Sequence, residues 1–185
     1  MKIFLDLDGV IVDWAKAAYE VHNLPLPNYN NWPLDGNDLA KMMNLSAEDF
    51  WKPYKNVEFW VNVPFFKEAT GLIDHLKPFI DEGNLCFVTD HSDCPYAAAG
   101  KVKWFNKFYP GIPYSLTKHK NFYAAPDAIL IDDSETNCHK FEKRGGHYVL
   151  YPSPWNRNRQ HYNDRLNYCK IELREIVLNQ ELLNV

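Results

Sequence analysis

The sequence lacks a basic excess, a long apolar run and closely spaced cysteines. With 20 Lys and Arg against 24 Asp and Glu, the formal net charge is −4, which argues against a long basic groove for duplex nucleic acid. No run approaches the roughly 18 apolar residues of a membrane span, and no basic leader precedes an apolar signal segment. We therefore expect no duplex nucleic acid partner, no membrane association and a cytoplasmic location.

The four cysteines form no CxxC pair, so we expect reduced thiols rather than a disulfide framework. They are Cys86, Cys94, Cys138 and Cys169. His91 lies three residues before Cys94, and His139 follows Cys138, which makes a zinc site conceivable. Neither pair has the spacing of a zinc finger, and a zinc site is therefore the disfavoured interpretation.

Apolar bursts separated by helical patterns predict a parallel sheet. Four short runs rich in Ile, Val, Leu or Phe, and a fifth shorter one, are typical of strands covered on both faces: Lys2–Leu7, Leu85–Thr89, Ala128–Ile131, His147–Tyr151 and Pro113–Leu116. Apolar spacing and stop residues predict four helices: Lys67–Glu82, Lys101–Phe108, Asn137–Arg144 and Asp164–Leu183. This alternation predicts an α/β fold, a three-layer doubly wound (Rossmann-like) parallel sheet.

Residues 15–66 break the alternation of strands and helices. The stretch holds Pro25, Pro27 and Pro33, many aromatic side chains and one short predicted helix, Ser46–Trp51. We interpret residues 15–66 as a small, mainly helical cap inserted after the first strand, with residues 1–14 and 67–185 forming the core domain. The alternative is a satellite core whose aromatic side chains only contact one another.

Polar and acidic side chains follow the predicted strands at the edge where a doubly wound sheet binds its ligands. In chain order they are Asp6, Asp8, Thr89, Asp90, Lys118, Lys120, Asp132 and Asp133, and Gly9 follows Asp8. Helix capping explains one such residue well, but not the whole set. Converging carboxylates repel one another unless a cation lies among them, and an all-oxygen set of ligands suits Mg²⁺.

The order of these residues resembles the haloacid dehalogenase-like phosphohydrolases. The DxDG motif of that superfamily stands here as Asp6-Leu7-Asp8-Gly9, and Thr89, Lys120 and the Asp132-Asp133 pair follow in the family's order. The stretches "DLDGVIVDW", "CPYAAAGKVKWFNKFYPG" and "SLTKHK" followed by "AILIDD" are similar to the 5'(3')-deoxyribonucleotidases within it. Asp90 departs from that pattern, since those enzymes usually carry a small hydroxyl residue after the threonine.

The resemblance implies a Mg²⁺-dependent phosphatase that acts on small nucleoside monophosphates through an aspartyl-phosphate. It implies three catalytic residues: Asp6 as the nucleophile, Asp8 as the general acid and base, and Lys120 as the catalytic lysine. It further implies substrate contacts by Gly9, Trp14, Thr89, Asp90 and Lys118, and metal binding by Asp6, Asp8, Asp132 and Asp133. Asp8 would bind the metal through its backbone carbonyl.

Several interpretations stay open at the level of the sequence. Trp14 is expected to stack on a nucleotide base or to be an ordinary buried tryptophan, whereas packing is favoured for Trp32, Phe59 and Trp60. The basic segment Trp155–Arg165 could contact an extended nucleic-acid strand, but a solvated loop and helix start is favoured. Alternative functions are a phosphatase of polynucleotide 3' ends, a phosphatase of another small metabolite, or a binding module without catalysis. Homodimer formation is also left open.

Overall fold

The computed structural model of the protein describes residues 1–33 and 38–183. Residues 34–37 of the predicted cap and residues 184–185 of the predicted core lie outside the described residues. Among the described residues, none of the helices combines the length and the apolar character that crossing a bilayer requires.

Five parallel strands form one sheet in the order β3-β2-β1-β4-β5. They are β1 (Lys2–Leu5), β2 (Leu85–Thr89), β3 (Tyr114–Leu116), β4 (Ala128–Asp132) and β5 (His147–Leu150). In the central strand, Ile3 pairs with Leu85 on one side and with Ile129 on the other. The strand order reverses direction at β1, which confirms the predicted doubly wound α/β fold.

The first strand is shorter than the predicted Lys2–Leu7. The Asp6 amide still donates to the carbonyl of Ile131, but the Leu7 carbonyl then accepts the amides of Ile11 and Val12. A tight turn therefore begins at Leu7, inside the predicted strand. This turn places Asp6 and Asp8 beyond the end of β1.

Eight α-helices accompany the strands within residues 1–33 and 38–183. They are α1 (Trp14–Val21), α2 (Leu39–Met42), α3 (Ala47–Trp51), α4 (Val57–Val61), α5 (Ala69–Asp81), α6 (Pro95–Phe108), α7 (Glu135–Glu142) and α8 (Arg165–Leu183). Short 3-10 helices cover Tyr29–Asn31, Lys120–Tyr123 and Arg159–Asp164. The prediction Lys101–Phe108 missed the start of α6, which begins at Pro95 because proline suits the first helical position.

The strands are covered on both faces, as a three-layer fold requires. Ile3 and Leu5 of β1 lie in one apolar cluster, which also contains Leu76 of α5 and Leu173 of α8. Phe4, which points to the opposite face, lies in a second cluster with Phe141 of α7. Alternate residues of one strand thus contact different helical layers.

The segment between β1 and α5 has an aromatic cluster of its own. Its buried members include Tyr19, Trp32, Phe50, Tyr54 and Trp60. Trp32 and Trp60 are thereby packing residues, as favoured from the sequence. At Gly100 of α6, an added Cβ would lie 2.3 Å from the Cβ of Trp60, so the absent side chain lets α4 approach α6 closely. The division into a core and a cap at residues 15–66 stays a prediction.

Candidate active site

A cavity of about 550 Å³ opens at the carboxyl edge of the sheet. Most of the polar residues expected there line it. Its lining residues are Asp6, Asp8, Gly9, Trp14, Ala15, Leu39, Thr89, Asp90, Lys120, Asp133, Ser134, Glu135, Thr136, Asn137, Trp155 and Asn156. Segments far apart in sequence meet here because parallel strands end at one edge.

Three carboxylates meet beside this cavity. Asp6 follows β1, Asp132 ends β4 and Asp133 follows it, and one oxygen from each lies within 4.8 Å of the others. Asp6 is 6% exposed and Asp132 is fully buried. Within residues 1–33 and 38–183, this is the group of acidic, histidine and cysteine side chains that could hold a metal ion, and it contains none of the cysteines.

Lys120 joins two of the three carboxylates. Its Nζ lies 2.7 Å from Asp6 Oδ1 and 2.6 Å from Asp132 Oδ2, and its side chain is 4% exposed. Asp132 also accepts hydrogen bonds from the Ser134 amide (2.8 Å) and from the Asn137 side chain (3.1 Å). Asp132 is therefore surrounded by protein donors.

Burial and the proximity of the carboxylates shift the pKa values of Asp6 and Asp133. Burial, partly opposed by Lys120, raises the pKa of Asp6 to about 7. Burial together with the Asp132 and Asp6 carboxylates raises the pKa of Asp133 well above its usual range. Burial by itself would lower the pKa of Lys120, but Asp132 and Asp6 outweigh it and raise that pKa. One lysine thus does not neutralise the cluster.

The donor set fits a hard divalent cation. The three nearby ligand atoms are all carboxylate oxygens, which Mg²⁺ prefers over nitrogen or sulfur. The raised pKa values of Asp6 and Asp133 point the same way, since a cation among them would favour their ionised forms.

Asp8 has a different partner from Asp6. Its carboxylate forms an ion pair with Lys101 of α6, whose side chain is 2% exposed. The same Lys101 Nζ donates to Thr89 Oγ1 at 2.9 Å and to the Asp90 carbonyl. Lys101 therefore links the segment after β1 to the end of β2. The carboxylate of Asp8 is not part of the group formed by Asp6, Asp132 and Asp133.

Sequence reasoning missed Lys101, although a signal for it existed. Ala97, Gly100, Lys101, Trp104 and Phe105 follow the three- and four-residue spacing of one helix face, and all are buried. A lysine on the apolar face of a helix needs a buried partner. The prediction of a helix that started only at Lys101 hid this pattern.

Gly9 and Trp155 enclose Asp133. Gly9 has φ +80°, and an added Cβ there would lie 2.2 Å from Asp133 Oδ2. The Trp155 indole N–H donates to the same oxygen at 2.7 Å. The favoured interpretation of Trp155–Arg165 as a solvated loop was therefore wrong for Trp155 and for the buried Asn156, which both line the cavity.

Lys118 does not line the cavity, in contrast to Lys120. Its side chain is 41% exposed and forms an ion pair with Asp93. The chain turns Lys120 inward at the start of a 3-10 helix and leaves Lys118 outside the cavity, and the substrate contact of Lys118 stays a prediction. Asp90 does line the cavity, and its Oδ1 accepts the Ser92 amide at 2.7 Å.

Trp14 lies at the cavity as the first residue of α1. Its ring lies 6.4 Å from that of Trp60 with an interplanar angle of 19°, and it also contacts Phe50 and Tyr54. The preceding residue, Asp13, caps α1 by accepting the Lys16 amide. Trp14 therefore combines packing with a place in the cavity lining.

Comparison with known proteins identifies the family. Residues 1–177 match the family described as "5' nucleotidase, deoxy (Pyrimidine), cytosolic type C protein". The chain belongs to this family. The match confirms the resemblance found in the sequence, and the family is one of phosphoric monoester hydrolases of the 5'-nucleotidase type.

Two curated relatives are 5'(3')-deoxyribonucleotidases, one from Bacillus subtilis (strain 168) and one from Bacillus phage SPbeta. Each is 33% identical over 99 residues, which cover 52% of this chain and 55% of the relative. The matched region thus spans about half the length of the curated relatives.

Two solved structures are more distant. A hydrolase from Pseudomonas syringae has a TM-score of 0.42 and 16% identity over 80% of this chain and 82% of its own. A HAD-hydrolase from Bacillus subtilis bound to magnesium has a TM-score of 0.46 and 15% identity over 90% and 98%. At these TM-scores the likeness is too distant to inform the function of this chain.

Proposed function

We propose that this protein is a Mg²⁺-dependent phosphatase of small nucleoside monophosphates, specifically 5'(3')-deoxyribonucleotides, that works through an aspartyl-phosphate. The observation that carries the proposal is the meeting of Asp6, Asp133 and Lys120 at one cavity, in a chain of this nucleotidase family. The curated relatives with the deoxyribonucleotidase name support the choice of substrate.

Asp6 is the proposed nucleophile. Its Oδ1 accepts the Leu7 amide at 2.8 Å and lies 2.7 Å from Lys120 Nζ, so the carboxylate is held in one orientation. An oxygen of Asp6 attacks phosphorus, the bond from phosphorus to the ester oxygen breaks, and the phosphoryl group is carried on Asp6. Lys120 offsets negative charge that spreads over the transferring group.

Asp8 is the proposed general acid and base. In its protonated form it gives its proton to the departing alkoxide, and in the second step the resulting carboxylate takes a proton from the water that hydrolyses the aspartyl-phosphate. Lys101 contacts both the Asp8 carboxylate and Thr89 Oγ1, and Asp8 and Thr89 both line the cavity. Thr89 then binds a phosphate oxygen.

Asp6 and Asp133 are the proposed carboxylate ligands of Mg²⁺, with the backbone carbonyl of Asp8 as a further ligand. Asp132 is not one of the proposed ligands, because its oxygens already accept hydrogen bonds from Lys120, Ser134 and Asn137. It fixes Lys120 beside Asp6. When bound, Mg²⁺ supplies positive charge to the phosphate oxygens and keeps the clustered carboxylates ionised.

The rest of the cavity would receive the nucleoside. A volume of about 550 Å³ is within the range of small-molecule sites and accommodates one mononucleotide. Trp14 and Trp155 offer aromatic surface in its lining, where a base can stack.

A panel assay tests this proposal. Phosphate release is measured from deoxyribonucleoside monophosphates, sugar phosphates and 3'-phosphorylated oligonucleotides, with Mg²⁺ and with EDTA. The proposal predicts preference for the mononucleotides, loss of turnover in EDTA, and loss of turnover in Asp6→Asn. Preference for oligonucleotides would indicate a phosphatase of polynucleotide ends, and no turnover of any substrate would indicate a binding module.

A further inference from the structure

The loop that follows β5 is folded back onto the acidic cluster by one buried side chain. Asn156, 3% exposed, donates from Nδ2 to the carbonyl of Tyr151 (2.8 Å) and to the carbonyl of Asp133 (2.9 Å). Its Oδ1 accepts the Ser153 amide at 3.3 Å. These bonds fix the backbone on both sides of Trp155 relative to the end of β4.

This loop presents the Trp155 indole to Asp133. The indole Nε1 lies 2.7 Å from Asp133 Oδ2, a normal hydrogen-bond distance. The ring also contacts Trp32, whose centroid lies 5.7 Å away in an edge-on arrangement. Trp155 is thus held between the segment that precedes α2 and the carboxylate of Asp133.

The two oxygens of Asp133 have unequal surroundings. Oδ2 accepts the indole N–H and packs against the Cα of Gly9, where no side chain intervenes. Oδ1 accepts no hydrogen bond from the part of the chain that the structure describes. A carboxylate held by one oxygen in this way presents its other oxygen in a defined direction.

We propose that Trp155 is a positioning residue of the Mg²⁺ site. Its N–H fixes Asp133 Oδ2 so that Oδ1 is oriented for the cation that Asp6 and Asp133 share. The inference rests on the proposed function, because it needs a cation at this cluster. An indole suits the task, since it donates one hydrogen bond, carries no charge and cannot itself bind Mg²⁺. Partners that orient metal ligands typically account for 10–100-fold of metal affinity.

The test compares two tryptophan-to-phenylalanine variants. Trp155→Phe removes the N–H and keeps a ring, and Trp104→Phe removes the same atoms from a buried site whose Nε1 has no described hydrogen-bond partner. Mg²⁺ binding is measured by isothermal titration calorimetry without substrate. Trp155→Phe should weaken binding about 10-fold or more. The Mg²⁺ affinity of Trp104→Phe should stay within about twofold of wild type, even if the substitution lowers the unfolding midpoint in EDTA.

The outcomes separate this inference from the function on which it rests. Equal Mg²⁺ affinity of wild type and Trp155→Phe would overturn the positioning role and leave the proposed function intact. Absence of Mg²⁺ binding by the wild type would overturn both. Should Trp155→Phe fail to fold, replacement of Trp155 by 3-benzothienylalanine keeps the bicyclic shape and puts sulfur in place of the N–H. Unchanged affinity in that protein would equally refute the role of the hydrogen bond.

Discussion

The acidic cluster should make the metal-free protein less stable than a variant in which Asp6 is replaced by a neutral residue. Asp6→Asn replaces the ionised group with a neutral one of almost the same shape. In the folded protein the pKa of Asp6 is raised from 3.8 to about 7, so its ionised form is disfavoured although Lys120 lies beside it. Neutralising Asp6 should therefore raise the free energy of unfolding in EDTA.

The size of this effect follows from the shift in pKa. A change of roughly three units at about 1.4 kcal/mol each sets an upper limit of about 4 kcal/mol. The amide of Asn accepts a weaker hydrogen bond from Lys120 than a carboxylate does, which reduces the gain. We expect Asp6→Asn to stabilise the metal-free protein by about 1–3 kcal/mol at pH 8.

The contribution of Asp6 to the free energy of unfolding should change with pH in a defined direction. Below about pH 4 Asp6 is protonated in both the folded and the unfolded state, so it carries no penalty. The folded state binds the proton more tightly between about pH 4 and pH 7, so the contribution of Asp6 to stability falls as the pH rises through this range and is lowest above pH 7. The gain in the free energy of unfolding from Asp6→Asn should consequently be smaller at pH 5 than at pH 8.

Urea unfolding in EDTA at pH 5 and pH 8 measures these differences. Asp132→Asn is the matched control, because Asp132 accepts from Lys120, Ser134 and Asn137 and its loss should destabilise the protein. Added Mg²⁺ should stabilise the wild type and should stabilise Asp6→Asn less. A lower stability of Asp6→Asn than of wild type at pH 8 in EDTA would refute the reasoning.

Three further substitutions test the remaining parts of the site. Lys101→Met should lower kcat/KM at least 10-fold, because Asp8 and Thr89 lose their shared partner, whereas Lys103→Met on the exposed face of α6 should stay within about twofold. Lys118→Ala should also leave kcat/KM within about twofold, and a large loss would show that Lys118 reaches the substrate. Trp14→Ala should lower kcat/KM for deoxynucleotides about 10-fold more than for p-nitrophenyl phosphate, since stacking contributes about 1–3 kcal/mol per base. Equal losses on both substrates would make Trp14 a packing residue.

The fold and the acidic cluster could be predicted because both depend on local patterns. Short apolar runs followed by acids determine strand ends, and parallel strands bring those ends together. Asp6, Asp132 and Asp133 meet for this reason. The boundaries of the strands were harder to predict, as at β1, which ends at Leu5 and is followed by a tight turn whose amides donate to the Leu7 carbonyl.

The residues that support the cluster could not be predicted as easily. Lys101 and Trp155 act through tertiary contacts, one from a helix face and one from a loop, to carboxylates far away in sequence. Lys118 and Lys120 are two residues apart in one short stretch, and only the 3-10 helix that begins at Lys120 decides which of them is buried.

The most direct test is a crystal structure of the protein with Mg²⁺ and beryllium fluoride, which mimics a phosphoryl group. We expect one octahedral cation bound at roughly 2.1 Å by oxygens of both Asp6 and Asp133, with beryllium bonded to the other oxygen of Asp6. A structure at saturating Mg²⁺ in which Asp6 and Asp133 share no cation, or in which the beryllium bonds to a different residue, would contradict the account.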